Sequence, residues 1–290
     1  MFAVRDALAA GVGYGRTRGK DLIAPFHGTR SPADQTRPTA LEARIAHLAH
    51  LYVPRLLEGQ FFCGPTALAL HGLPVPSTAS DEVVHIAVRK PRTPPRAAGV
   101  SGHRFTVGSL TSVQHAPVVT PLEAWAQSAS SATVDDLTVI GDALVRRVKP
   151  HATIAALEQT VVRWRGRRGA RFLARAVLLV RARTDSPAET RARLAIVRAG
   201  LPEPVVNLAI TSAAGRFLGF GDLAYPGSKI VIEYEGAHHF QEAQLYHDID
   251  RLAAFVEAGW LVVRLHKHHL RQPASIVSKV RAALDARSAR

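Results

Sequence analysis

The sequence predicts an α/β protein, and three observations carry that expectation. Apolar runs of strand length, rich in Val, Ile and Phe, are bounded by Gly, Pro and Ser. Between them lie longer stretches with the apolar spacing of a buried helix face. In the last third the two alternate as helix, three-strand meander, helix, strand, helix. At 290 residues the chain has length for two domains and an ample core.

The C-terminal elements, 185–290, are the sharpest. Ser186 reads as a helix cap, with Pro187 at the first helical position and Glu189 three residues after the cap. Leu194 and Val197 supply an apolar face, and Gly200 with Pro202 ends the helix. Strands follow at Val205–Thr211, Phe217–Tyr225 and 229–235. Ala213-Ala214-Gly215 and Pro226-Gly227-Ser228 are the turns between them. A helix over 241–257 stops at Gly259, 260–265 is a fourth strand, and 274–286 a closing helix.

Upstream, residues 1–38 read as a partial helix-turn-helix-like segment and linker. A short helix over 3–10 is broken by Gly11, Gly13 and Gly15. The basic run Arg16-Thr17-Arg18-Gly19-Lys20 and a hairpin at Pro25-Phe26-His27-Gly28 follow, giving a partial winged-helix-like start. The glycines do not form a phosphate loop, because their spacing is wrong and no strand precedes them. Residues 39–150 read as a mixed α/β domain, with helices over 40–51, 65–71, 118–128 and 134–149 and an apolar strand over 83–88. Residues 151–184 read as a basic helical connector.

The formal charge of +14 suggests a polyanionic partner. The stretch 142–184 holds 11 basic side chains against 2 acids, so the surplus sits mainly there. Arg163, Arg165, Arg167, Arg168 and Arg171 form either a solvated helix face or a phosphate-backbone track. A single cysteine, Cys63, excludes a disulfide framework or a cysteine-based zinc site and fits a reducing cytoplasm. No apolar run reaches membrane-spanning length, so a soluble cytoplasmic protein without membrane contact is expected.

The chemistry gathers at the C-terminal acids. Glu233 and Glu235 close the apolar run Ile230-Val231-Ile232, and residues two apart share a strand face. Two like charges on one buried face cost several kcal/mol unless something neutralises them. A hard oxygen-binding cation such as magnesium would do so, with Asp222 and Glu233 the expected ligands. Arg251 or Arg264 would do so as well, by simple pairing. Glu189 reads as a capping residue. His238 and His239 follow the strand end, and His239 is placed to donate or accept a proton near a phosphate. His266-Lys267-His268-His269 reads as an exposed basic loop with phosphate contact through Lys267.

Taken together, Ser186-Pro187-x-Glu189-Thr190-x-x-Arg193, Gly221-Asp222-Leu223-Ala224-Tyr225-Pro226, Glu233-Tyr234-Glu235-Gly236-x-x-His239, Asp248-x-x-Arg251 and Gly259-Trp260-x-Val262-x-Arg264 resemble a restriction-endonuclease-like domain. The closest likeness is to the very-short-patch-repair-like (Vsr-like) branch of the PD-(D/E)XK group. Residues 39–150 more loosely resemble the AbiEi-type antitoxin-like regions fused to such domains. Glu235 stands where the group's signature has lysine, and Gly221 where it has proline.

The resemblance implies a metal-dependent DNA endonuclease of DNA repair or defence, using Mg²⁺ or Mn²⁺. Glu189, Asp222, Glu233, Glu235 and His239 would be catalytic, with Asp222 and Glu233 on the metal. Arg251 and Arg264 would support the acids. The five connector arginines, His238 and Lys267 would hold DNA, and a homodimer is left open. The rival expectation is a DNA-binding regulator or antitoxin-like protein whose nuclease-like domain is inactive. A third is an interaction scaffold.

Overall fold

Strands and helices alternate along the chain as the apolar runs predict, and the fold is α/β. The structure, a computed structural model, describes residues 1–105, 108–236 and 242–289, the side chains of 242–248 excepted. The chain divides into two compact units, Met1–Ile140 with Ala155–Leu178, and Gly141–Ile154 with Leu179–Arg290. The basic stretch 151–184 is thereby shared out, its two helices falling to the first unit.

The first unit opens with β1 (Phe2–Ala3), α1 (Val4–Ala9), β2 (Leu22–Ile23) and β3 (Thr29–Pro32), the strands pairing antiparallel in the order β1-β3-β2. The hairpin expected around Gly28 is β2–β3. The basic run before it is a 3₁₀ turn, Arg16–Arg18, with Arg16 paired to Asp21 at 2.8 Å. Then come α2 (Leu41–Tyr52), β4 (Gln60–Phe62), α3 (Gly64–Leu70), β5 (Val84–Arg89), β6 (Val100–Phe105), β7 (Leu110–Val113) and β8 (Ala116–Val119). These strands form one mixed sheet in the order β6-β5-β4-β8-β7. Helices α4 (Pro121–Ser128), α5 (Val134–Leu144), α6 (Ile154–Arg163) and α7 (Ala170–Leu179) complete it.

The expected helix over 118–128 starts later, at Pro121. Val118 and Val119 are wholly buried and belong to β8, and proline suits the first helical turn because it lacks an N–H there. Gly169 at φ +81° lets the start of α7 press on the end of α4, since a Cβ there would lie 2.1 Å from the Ala129 carbonyl oxygen.

The second unit holds α8 (Pro187–Arg198), β9 (Val205–Thr211), β10 (Phe217–Tyr225), β11 (Ile230–Glu235), α9 (Glu242–Glu257), β12 (Leu261–His266), α10 (Lys267–Arg271) and α11 (Pro273–Ser288). The sheet order is β12-β11-β10-β9. The meander is antiparallel, and β11 runs parallel to β12 across the α9 crossover. Both faces are covered. Leu223, Ile230, Ile232, Val263 and Leu265 pack against α8 and α11, while Ile210, Val231 and Val262 pack against Phe255 and Leu252 of α9. Burial on both sides explains why Ile230-Val231-Ile232 is apolar without alternation. Trp260 joins the α9 side of this core.

His266-Lys267-His268-His269, expected as a loop, is the cap and first turn of α10. The His266 N–H donates to His269 Nδ1 at 2.9 Å, and the His269 side chain is buried. Lys267 and His268 remain exposed.

One buried polar network ties this unit together. Asp142, near the end of α5, is fully buried and accepts from Arg193 Nη2 at 2.9 Å, Thr190 Oγ1 at 2.8 Å and the Arg181 amide at 2.7 Å. Arg193 is itself buried and also donates to Glu203 Oε1 at 2.9 Å and the Leu179 carbonyl at 2.8 Å. Burial pushes the Asp142 carboxyl up, against the pull of Arg193. Breaking one half of such a pair leaves the other charge buried and uncompensated. We expect Asp142→Ala to lower unfolding free energy by about 3 kcal/mol, measured by denaturant titration, with Arg193→Ala comparable. A loss within experimental error would mean that water or Glu203 satisfies the orphaned group.

Candidate active site

The site is built where the β10–β11 ladder stops. Paired residues run from Tyr225↔Ile230 to Leu223↔Ile232, and the next amides are taken by side chains. The Asp222 N–H donates to Glu233 Oε1 at 3.2 Å, and the Tyr234 N–H donates to Asp222 Oδ2 at 2.8 Å. Each carboxylate thus fills the place of a ladder carbonyl on the opposite strand, which fixes the two acids side by side.

Helix α8 brings Glu189. Ser186 Oγ accepts the Glu189 N–H at 3.2 Å, the cap that the sequence predicts. The return bond goes one residue further out: the Asp185 N–H donates to Glu189 Oε2 at 3.0 Å. The same oxygen accepts from Asn207 Nδ2 at 3.0 Å. Glu189 is 4% exposed and Glu233 3%.

Helix α9 brings Arg251, and Gly219 in β10 makes room for it. A Cβ on Gly219 would lie 2.9 Å from Arg251 Cδ, while one on Gly221 would lie 2.5 Å from Val231 Cγ2 on the neighbouring strand. Arg251 Nη1 donates to Glu233 Oε2 at 2.9 Å and to the Phe220 carbonyl at 3.1 Å. Arg251 is thus paired with Glu233. Arg264 pairs with Glu235, and His266 Nδ1 lies 3.3 Å from the other Glu235 oxygen. Glu235 is thus engaged by Arg264 and His266 of β12.

Burial pushes the Glu189 carboxyl up to about 8, and the Asp222 charge adds to it. Burial and Asp222 also push Glu233 up, to about 7, against the opposing pull of Arg251. The Asp222 charge thus acts on both Glu189 and Glu233, which makes one cluster of the three carboxyls.

A hard divalent cation fits this donor set, since magnesium typically takes one or two carboxylates and fills its shell with water and phosphate oxygens. Asp222 and Glu233 would hold it. Among the described residues, no three His, Cys, Asp or Glu side chains are gathered at metal-ligand spacing. His238 and His239 lie outside the described residues, as does the side chain of Asp248.

Arg163, Arg165, Arg167, Arg168 and Arg171 are all exposed on α6, α7 and the turn between them. Arg163 also donates to Thr160 Oγ1 at 2.9 Å, and Arg167 stacks 4.5 Å from the Trp164 ring centre. In the second unit, Arg147 and Arg183 approach the Phe220 ring at 4.4 and 6.0 Å, two residues before Asp222 in the strand. Among the described residues no helix is long and apolar enough to cross a membrane.

Sequence reasoning passed over Asn207, Asp142 and these two arginines. Asn207 had a signal: an amide inside an apolar strand, here buried at φ +47°, a conformation asparagine tolerates better than most residues.

The chain is similar to two uncharacterised proteins of Mycobacterium tuberculosis, one from strain CDC 1551 / Oshkosh and one from strain ATCC 25618 / H37Rv. Each is 27% identical to it over 229 residues, covering 77% of this chain and 80% of the relative. No protein-family model and no solved structure matches it.

The raised carboxyls set a pH dependence. The folded protein holds these protons more tightly than the unfolded chain, whose glutamates titrate near 4.5. Stability from Glu189 and Glu233 is therefore complete below that value and is lost as pH climbs through about 7 and 8. In chelator-treated protein, the melting temperature should fall between pH 6 and pH 8.5 and recover with millimolar Mg²⁺. Glu189→Gln should flatten that fall, and an unchanged slope would show that Glu189 is already ionised.

Proposed function

We propose that this protein is a metal-dependent endonuclease hydrolysing phosphodiester bonds in DNA, within repair or defence. The observation that carries the reading is the burial of Glu189 and Glu233 beside Asp222, which pushes both carboxyls up. Buried carboxyls that hold protons near neutrality can exchange them for a divalent cation, and Mg²⁺ or Mn²⁺ meets the chemistry of these oxygens. Bound there, such an ion supplies Lewis acidity and lowers the pKa of a coordinated water.

The chain's own residues have distinct tasks in this reading. Asp222 and Glu233 hold their oxygens in place through the reciprocal amide bonds. Glu189, in its ionised form, accepts the proton of the attacking water. Arg251 orients Glu233, and Arg264 orients Glu235, which acts on water near the strand end. His239 serves as acid, base or phosphate contact. Arg163, Arg165, Arg167, Arg168, Arg171, His238 and Lys267, joined by Arg147 and Arg183, contact the backbone without reading bases.

A second reading is favoured by the Arg251–Glu233 and Arg264–Glu235 pairs. Acids that carry their own cations suit an inactive nuclease-like domain in a DNA-binding regulator or antitoxin-like protein.

Purified protein should nick supercoiled DNA with Mg²⁺ or Mn²⁺ and not with chelator. Asp222→Ala should lower the rate roughly a hundredfold or more, as expected when several kcal/mol of charge stabilisation is lost. DNA binding that survives Asp222→Ala, with no cleavage by wild type under either metal, would instead support the regulator.

A further inference from the structure

A second site lies wholly in the first unit, remote in character from the acid cluster. It is an open cavity of about 260 Å³ beside the start of α3. Gln127 and Trp164 both line it, and both are more than nine-tenths buried. Gln127 Oε1 accepts the Gly64 N–H at 3.1 Å, which sets the orientation of the amide and leaves Nε2 without a partner. Trp164 Nε1 is likewise buried and unpartnered. Buried donors in native proteins nearly always have an acceptor, so two orphans lining one cavity call for a ligand that supplies acceptors.

The remaining lining says what kind. His85, His103 and Phe105 form a near-parallel stack, the rings tilted by 13° and 9° and spaced 5.1 and 6.1 Å. His85 Nδ1 and His103 Nε2 are 3.0 Å apart, so the two rings engage each other. Burial holds both imidazoles below their ordinary value, His85 down to about 4, which keeps the wall uncharged at neutral pH. Cys63, at its floor, is buried, and burial raises its thiol well above the ordinary range. The depth of the cavity is thus neutral, flat-walled and donor-rich. Its rim is cationic, with Arg167 and Arg168 both lining the cavity and both exposed.

We propose that this cavity binds a nucleotide, its base inserted among the rings with its acceptors on Gln127 Nε2 and Trp164 Nε1, and its phosphate on Arg167 and Arg168. A flat heterocycle with ring-nitrogen or carbonyl acceptors matches the depth, and an anion matches the rim. Every base has a face to stack and at least one acceptor on its edge, so the recognition is of a nucleotide as a class. The same chemistry arrives either as a free mononucleotide or as an unpaired nucleotide of a strand. The proposal does not rest on the nuclease reading.

The test is calorimetric titration of the full chain with nucleoside 5′-monophosphates, with ribose 5-phosphate and inorganic phosphate as controls, and with short single-stranded oligonucleotides. Base-bearing ligands should bind and raise the melting temperature, while the two controls should not. Trp164→Phe keeps the ring and removes the donor; Gln127→Glu keeps the acceptor for Gly64 and replaces the free donor with an anion. Each should weaken binding by roughly tenfold, the scale of one hydrogen bond lost to a buried donor, with the unliganded melt used to verify folding. Arg167→Gln with Arg168→Gln should reduce affinity for the monophosphate and leave nucleoside binding unchanged. Binding of oligonucleotides alone, still sensitive to Trp164→Phe, identifies a strand as the source. Binding of mononucleotides identifies the free ligand. Absence of both, equal binding of ribose 5-phosphate, or indifference to both donor variants overturns the proposal.

Discussion

Carboxylates crowded at a partly buried strand end need compensation, and the second unit is organised around that constraint. Asp222 and Glu233 each accept a backbone N–H from across the β10–β11 pair, so neither can swing into solvent without orphaning an amide. Glu189 is held as firmly by Asp185 and Asn207. Burial, with the Asp222 charge added, raises the proton affinities of Glu189 and Glu233, and Arg251 opposes this at Glu233. The fold supplies the rigidity: β11 is apolar on both faces, and α8 and α9 are seated on opposite sides of the sheet.

The two arginine partnerships differ in what they leave behind. Glu235, half-exposed and shared by Arg264 and His266, is compensated where it stands. Glu233 is buried and stays perturbed despite Arg251. Packing decides this difference. Gly219 lets α9 close on β10, and Arg251 reaches Glu233 and the Phe220 carbonyl. The buried Asp142–Arg193 pair is of another kind: its oxygens are saturated by Thr190, Arg181 and Arg193, which ties the segment at Asp142 to α8 within the second unit and leaves nothing for a ligand.

The meander was legible because its strands are long, apolar and separated by turn residues. β9 and β10 fall on their expected bounds, and β11 begins one residue later because Lys229, at φ +46°, completes the turn. The small strands of the first unit were not legible. β4 has three residues and β7 is largely exposed, so neither carries a periodic signal, and each exists through the neighbours it pairs with. α10 escaped notice for a related reason: five residues make a helix there because His269 caps the amide of His266. Among the acids, Asp222 and Glu233 stood out as charges inside apolar patterns, and Glu189 by its place three residues after the cap Ser186. Asp142 broke its helix pattern in the same way, yet its partner lies 51 residues away and local pattern does not reach that far.

Residue types and their spacing therefore settled the α/β class, the order of the C-terminal elements, the helix cap at Ser186 and the list of acids that cannot all be solvated. Those properties are local, resting on periods of two and 3.6 residues and on the backbone preferences of proline and glycine. Tertiary structure alone decided which acids meet, which arginine answers which glutamate, and that Gln127 and Trp164 line one cavity. Such outcomes depend on distances between residues far apart in the chain, and only packing of the sheets and helices sets those distances.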